Sequence, residues 1–157
     1  MTETGFVPKA RYMMRALELA AQAAAMGEVP VGAVVVQKST GRIIGEGYNR
    51  READRSPLAH AEIMAIDAAS RTLGGWRLLD SALYVTLEPC PMCAGAILHA
   101  RLEQVVYGTA DPKGGAVDSV EQLFTLPYNW TPEVHAGLLH ACPLLYNIDC
   151  KTISLQK

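Results

Sequence analysis

The sequence predicts an α/β fold: a three-layer α/β/α arrangement in which helices flank a mixed sheet of about five strands. Three observations carry this expectation. Apolar patterns of helical and of strand type follow one another in the order helix, strand, strand, helix, strand, helix, strand. Strands separated by a helix imply crossover connections, hence parallel pairing and helices on the sheet faces. Two strands joined only by a short polar link imply an antiparallel pair beside them.

Each element has a local cause. Residues 9–26 place Ala10, Met13, Met14, Leu17, Ala20, Ala21 and Ala24 at helical spacing, with Arg11, Arg15 and Glu18 opposite and Gly27 as a stop. Residues 31–36 and 42–48 are short apolar or β-branched runs joined by 38–41, which reads as a hairpin. After a polar stretch, 50–57, residues 59–70 are rich in helix formers and end before Gly74 and Gly75. Residues 82–87 read as a buried strand, and Pro89 is expected to open a helix running to about His99, because proline suits a first turn. Residues 104–107 form the next strand. Residues 108–130 are loop-rich, and a loop this long in a compact domain usually frames a site. Residues 133–148 have room for a short strand and a helix interrupted at Pro143.

The 157 residues suit one domain, spanning 1–157, and half of them are hydrophobic, enough to build a core. Only 19% are charged, which excludes disordered and coiled-coil chains. Gln22, Gly27 and Glu28 break the Ala-rich opening before it reaches the roughly 18–20 apolar residues of a spanning helix. The opening Met-Thr-Glu-Thr-Gly lacks the basic and apolar regions of an export signal, so the expectation is a cytoplasmic protein without membrane contact. The net charge of −2 gives no global attraction for a polyanion, so any nucleic-acid binding must come from a local patch. Four cysteines in such a chain point away from disulfides and toward a metal or catalytic role for some of them.

Their spacing selects which. In Pro89-Cys90-Pro91-Met92-Cys93, two thiols three residues apart at a helix start project toward one point. The positive end of the helix dipole favours the thiolates that zinc requires. His60 supplies a third ligand, leaving the fourth position of one zinc ion for water. His60 and Glu62 lie two apart and converge only if His60 heads its helix, which Ser56 and Pro57 favour. Such a metal lowers the pKa of water from 15.7 to about 7. Glu62, free of the metal, can carry the proton to a ring nitrogen and then to a leaving amine, as hydrolytic deamination of a purine or pyrimidine needs. His-x-Glu with Pro-Cys-x-x-Cys is the pattern of zinc nucleobase deaminases.

Singly, the two motifs say less: Cys-x-x-Cys also occurs in redox pairs and structural zinc sites, and His-x-Glu alone is nearly noise. Together, each heading a helix, they predict a catalytic centre. Cys142 and Cys150 read as ordinary small residues, and His99, His135 and His140 as satisfied or solvated histidines without ligand spacing. Arg50, Arg51 and Arg55 precede His60 and could meet phosphates, but Glu52 and Asp54 dilute them, and a solvated loop fits equally.

On these residues the sequence resembles the bacterial tRNA-specific adenosine deaminases of the cytidine deaminase superfamily. The similar stretches are Glu28-Val-Pro-Val-Gly-Ala33, Gly45-Glu-Gly-Tyr-Asn-Arg50, Ala59-His-Ala-Glu-Ile-Met-Ala65, residues 83–96 and residues 106–116, together covering about 10–130. The His-Ala-Glu and Pro-Cys-Pro-Met-Cys segments would also fit guanine or cytosine deaminases. Asp111-Pro-Lys-Gly-Gly-Ala116 narrows the match to the tRNA branch. The resemblance implies a cytidine-deaminase-like fold, zinc on His60, Cys90 and Cys93, and Glu62 as proton shuttle. It further implies that Asn49 hydrogen-bonds the nucleoside, that Pro30 and Val31 line the pocket, and that the backbone of Ala61 and Cys90 holds the water and the exocyclic nitrogen. Asn129 would seat the flipped base and Asp111 would lie near the nucleotide backbone. A homodimer making inosine at the wobble adenosine of a tRNA anticodon loop is implied as well.

Three departures bear on RNA. Trp130 stands where the family usually has His, and an aromatic there could stack a base. Asp118 replaces a glycine. The usual basic C-terminal tail is reduced to Lys151 and Lys157 beyond Pro143, which removes phosphate contacts. A deaminase of a free base or nucleoside, guanine or cytosine, with the same mechanism is therefore the alternative. A non-enzymatic zinc-stabilised RNA-binding or scaffold domain is a third reading, opposed by Glu62, a carboxylate for which a structural site has no use.

Overall fold

A computed structural model describes residues 5–139. The expectations on His140, Cys142, Pro143, Cys150, Lys151 and Lys157, and on a helix near the C-terminus, lie outside the described residues. Three helices, α1 (Ala10–Ala25), α2 (Ala61–Leu73) and α3 (Pro91–Ala100), and five strands, β1 (Gly32–Gln37), β2 (Arg42–Tyr48), β3 (Ser81–Leu87), β4 (Gln104–Thr109) and β5 (Glu133–Ala136), make up the described part, with one 3-10 turn at Leu123–Thr125. The sheet order is β2-β1-β3-β4-β5. β1 pairs antiparallel with β2 and β3, whereas β3–β4 and β4–β5 are parallel. The expected mixed sheet of five strands is what forms. No helix among the described residues is long and apolar enough to cross a membrane.

The layering follows from the two-residue period of the strands. Val34, Val36, Ala82, Tyr84 and Val106 face α1, where Tyr12, Met13, Ala16, Leu17 and Leu19 meet them. Their neighbours Ala33, Val35, Leu83, Val85, Val105 and Tyr107 point the other way, into Ala61, Ala65 and Ala69 of α2 and Ala94 and Ile97 of α3. One helix covers one face and two cover the other. Helix α2 sits unusually close to β2 because a Cβ at Gly45 would lie 2.2 Å from the Ala65 carbonyl oxygen and one at Gly47 2.4 Å from that of Ala61. Glycine at both positions lets the helix backbone rest on the strand.

Two local expectations are corrected. The buried stripe of α1 is Tyr12, Met13, Ala16, Leu17, Leu19, Ala20 and Ala23. Ala10, Met14, Ala21 and Ala24 face outward, because alanine fits either side of a helix and Tyr12 and Leu19 settle the choice. Helix α3 is opened by Pro91, not Pro89, and Cys90 is its N-cap. Pro89 belongs to the extended segment leaving β3, where its carbonyl accepts from the Ala116 N–H at 2.9 Å.

Candidate metal and catalytic site

Two helix starts build the site. His60 is the N-cap of α2, with extended backbone at φ −80° and ψ 150°. Cys90 is the N-cap of α3 at φ −74° and ψ 173°. A residue at this position has left the helical path, so its side chain reaches past the end of the axis. This is how His60 and Glu62, two apart, come to share one site. Cys93 lies one turn into α3 and is fully buried.

The His60 Nδ1 lies 3.6 Å from the Cys90 Sγ and 3.5 Å from the Cys93 Sγ. With zinc–sulfur and zinc–nitrogen bonds of about 2.3 and 2.0–2.1 Å, tetrahedral coordination separates N and S by roughly 3.6 Å. The donor set and the spacing both fit zinc, and these three residues are the group of metal-ligating side chains that converges among the described residues. The hydrogen bond between the two thiols, with His60 adding to it, holds Cys90 down to about 4, while donation to Cys90 and burial push Cys93 up. The same contact with Cys90 raises His60.

Glu62, the second residue of α2, is buried beside Cys93 and Cys90 without joining the ligand cluster. Burial is the main reason its carboxyl is pushed up to about 7, only partly offset by its own backbone N–H. A carboxyl poised near neutrality can both accept and return a proton.

These groups line one side of a pocket of about 580 Å³, mouth included, whose other walls are Val29, Val31, Asn49, Arg51, Ala61, Leu87, Glu88 and Asp111. Its exposed surface is mostly apolar, while Asn49, Arg51, His60, Glu62, Glu88 and Asp111 supply polar groups, a make-up that suits a small-ligand site. Of the residues expected from the sequence, the fold brings His60, Ala61, Glu62, Cys90, Asn49, Val31 and Asp111 to this pocket, with Cys93 completing the ligand cluster. Asn49 is buried, and its amide donates to the Val29 carbonyl at 3.1 Å and accepts from the Arg51 N–H at 3.0 Å. Asp111 takes the N–H groups of Lys113 and Gly114 on Oδ1, folding its loop inward.

Others lie elsewhere. Pro30 is buried between Val29 and Val31 and does not line the pocket. Asn129 is exposed and outside the lining, just before β5, whose Glu133 pairs with Gln104 at the start of β4. The pocket is at the opposite end of these parallel strands. Trp130 packs on the core and donates its indole N–H to the Leu102 carbonyl at 2.7 Å, so it is fastened to the fold at that far end. Asp118 accepts from the buried Tyr107 hydroxyl, a partner that a glycine could not offer. Arg50 is held by Asp54 and Tyr48, whereas Arg51 reaches the pocket. His99 is exposed, and His135 bonds Gln104.

Sequence reasoning missed two buried carboxylates. Glu28 accepts the N–H groups of Glu52 and Ala53 and so ties the loop before His60 to the end of α1. Glu88 does the same for the loop after β4. For Glu88 a signal existed: an acid directly continuing the apolar run 82–87 has no reason to be there unless it is fully bonded.

Residues 8–109 match the family model described as the cytidine and deoxycytidylate deaminase zinc-binding region. The tRNA-specific adenosine deaminase of Bacillus subtilis is 47% identical over 129 residues, covering 82% of this chain and 79% of that protein. The enzyme of the same name from Haemophilus influenzae is 51% identical, covering 81% and 74%. A solved tRNA A34 deaminase, described as acting in A-to-I editing at the wobble position, superposes with a TM-score of 0.81 at 44% identity, covering 85% of this chain and 96% of that one. A guanine deaminase from Nitrosomonas europaea superposes with a TM-score of 0.77 at 27% identity, covering 90% and 85%.

Proposed function

This chain belongs to the tRNA-specific adenosine deaminases of the cytidine deaminase family, and from that premise we propose how its own residues carry out the zinc-dependent hydrolysis of adenosine to inosine at the wobble position of a tRNA anticodon. The observation that carries the chemistry is a buried carboxylate, Glu62, standing beside the His60, Cys90 and Cys93 cluster and outside it. Zinc bound by those three side chains supplies Lewis-acid activation of the attacking water.

The remaining work falls to the chain. Glu62 removes a proton from the water and delivers it to N1 of the adenine ring as oxygen adds to C6. It then takes the remaining proton and gives it to the departing amino group, so adenosine and water become inosine and ammonia. Val29, Val31 and Leu87 exclude bulk water from the base, which strengthens each polar contact there. Asn49, held rigid by Val29 and Arg51, orients the nucleoside. The backbone at Ala61 and Cys90 holds the water and the exocyclic nitrogen, and Asp111 sits toward the nucleotide backbone.

A single deaminase domain over residues 1–157, a cytoplasmic location and a homodimer belong to the same reading. In support of the dimer, α3 is apolar almost throughout, and Met92, Gly95 and Ala96, one stripe of it, remain half-buried in the single chain. A second copy would cover that stripe and offers a way for Asn129, remote from its own pocket, to reach a neighbour's. The reading on a free base shares every step above; greater identity to the tRNA enzymes than to the guanine deaminase favours the polymer.

The test is to incubate zinc-loaded protein with an anticodon stem-loop bearing a wobble adenosine and, in parallel, with free adenosine, cytosine and guanine. Inosine in the stem-loop is expected; ammonia from a free base alone would overturn the substrate and keep the mechanism. Glu62→Gln should lower kcat by about 10²- to 10⁴-fold with zinc retained, and loss of zinc in that variant would mean that Glu62 is a ligand.

A further inference from the structure

Glu88 is 2% exposed and takes no part in the chemistry above, yet five donors converge on its carboxylate. Its Oε1 accepts from the Asp111 N–H at 3.2 Å and from the Ser119 hydroxyl. Its Oε2 accepts from the N–H groups of Val117, Asp118 and Ser119 at 3.1, 2.9 and 3.0 Å. The loop is wrapped on the carboxylate without slack: a Cβ on Gly115 would stand 2.2 Å from the Glu88 Cδ and Oε2. Ala116 is tied to the Pro89 carbonyl on one side, and Asp118 to the Tyr107 hydroxyl on the other.

We propose that Glu88 is a positioning residue for substrate binding: its carboxylate is the template on which residues 111–119 fold, and this holds Asp111 at the pocket wall before the nucleotide arrives. The proposal rests on the reading of Asp111 as a nucleotide contact. Backbone N–H groups converging on one anion form a concave nest, usually filled by a phosphate or another ligand. Here the protein fills the nest itself. Asp111 is bound into the assembly twice, through its N–H on Glu88 and its carboxylate on Lys113 and Gly114. A loop ordered in advance spares the substrate the cost of ordering it, so the benefit appears in binding. The tether also joins this wall to the metal cluster, since Glu88 is separated from Cys90 by Pro89 alone.

Glu88→Gln keeps the shape and replaces one acceptor oxygen with an NH2 group that faces N–H donors. Ser119→Ala removes one donor and leaves the carboxylate in place, so it reports even if the first variant fails to fold. Zinc content, amide hydrogen exchange across 111–119 and steady-state kinetics on the anticodon stem-loop are measured for each zinc-loaded protein. Glu88→Gln is expected to retain zinc, to exchange the amides of Val117, Asp118 and Ser119 at least about tenfold faster, and to raise KM roughly tenfold, more than it lowers kcat. Ser119→Ala should move the same readouts in the same direction by about threefold. Unchanged exchange would overturn the template, and faster exchange with an unchanged KM would overturn its role in binding. If the wild-type protein leaves the stem-loop unconverted, the substrate reading fails, while the exchange data still decide whether Glu88 shapes the loop.

Discussion

Replacing Gly47 with alanine tests whether the site depends on how closely α2 rests on β2. The added Cβ would lie 2.4 Å from the Ala61 carbonyl oxygen, 2.6 Å from the Met64 Cβ and 2.7 Å from the Ala65 N. Two of these are backbone atoms in the first turn of a helix, so no side chain can swing aside. Reaching the 3.4 Å of ordinary contact requires the first turn of α2 to withdraw by about 1 Å. Overpacking of this kind costs about 1–3 kcal/mol, or roughly 3–10 °C in Tm for a domain of this size. The same turn carries His60 and Glu62, and misplacing catalytic groups by about 1 Å costs on the order of 10²-fold in rate. Thermal unfolding of the zinc-loaded protein gives the first quantity and kcat on the anticodon stem-loop the second. Gly75→Ala is the control, because nothing lies within 4 Å of a Cβ there. A Gly47→Ala protein with the Tm and kcat of the Gly75→Ala control would refute both the close packing and its link to catalysis.

Other substitutions probe the remaining parts of the argument. Cys90→Ser, or removal of metal from the native protein with a chelator, should abolish activity and lower Tm together, because metal binding is coupled to folding; retention of one zinc per chain in Cys90→Ser would dismiss it as a ligand. Burial, and then the bond to Asp118, raise the Tyr107 phenol. Its contribution is therefore full below the ordinary tyrosine pKa of about 10 and is lost as pH rises toward the folded value. Urea midpoints should fall above about pH 10 in the native protein and less steeply in Tyr107→Phe; equal alkaline slopes would count against the pair. Trp130→Leu should cost about 1–2 kcal/mol through the lost bond to Leu102 and lost packing, with KM for the stem-loop unchanged. A KM several times higher would restore Trp130 as a base-stacking residue.

The chemistry of this protein was legible in the sequence because each part of it is local. Zinc chemistry needs particular donors, Pro91 marks the start of α3, and His60, Glu62, Cys90 and Cys93 each sit within three residues of a helix start. The order of strands and helices was legible for the same reason, since a period of two or of 3.6 is a property of short windows. What the sequence could not decide involves partners far apart along the chain. Glu88 accepts from residues 23–31 positions later, Glu28 from residues 24 and 25 positions later, and Trp130 bonds Leu102. The outward turn of Met14 and Ala24 depended on which side of α1 met the sheet, and the distance of Asn129 from the pocket depended on β5 adding in parallel beside β4. Burial turns an acid from a solvated charge into the anchor of a loop, and burial is settled only when distant segments pack.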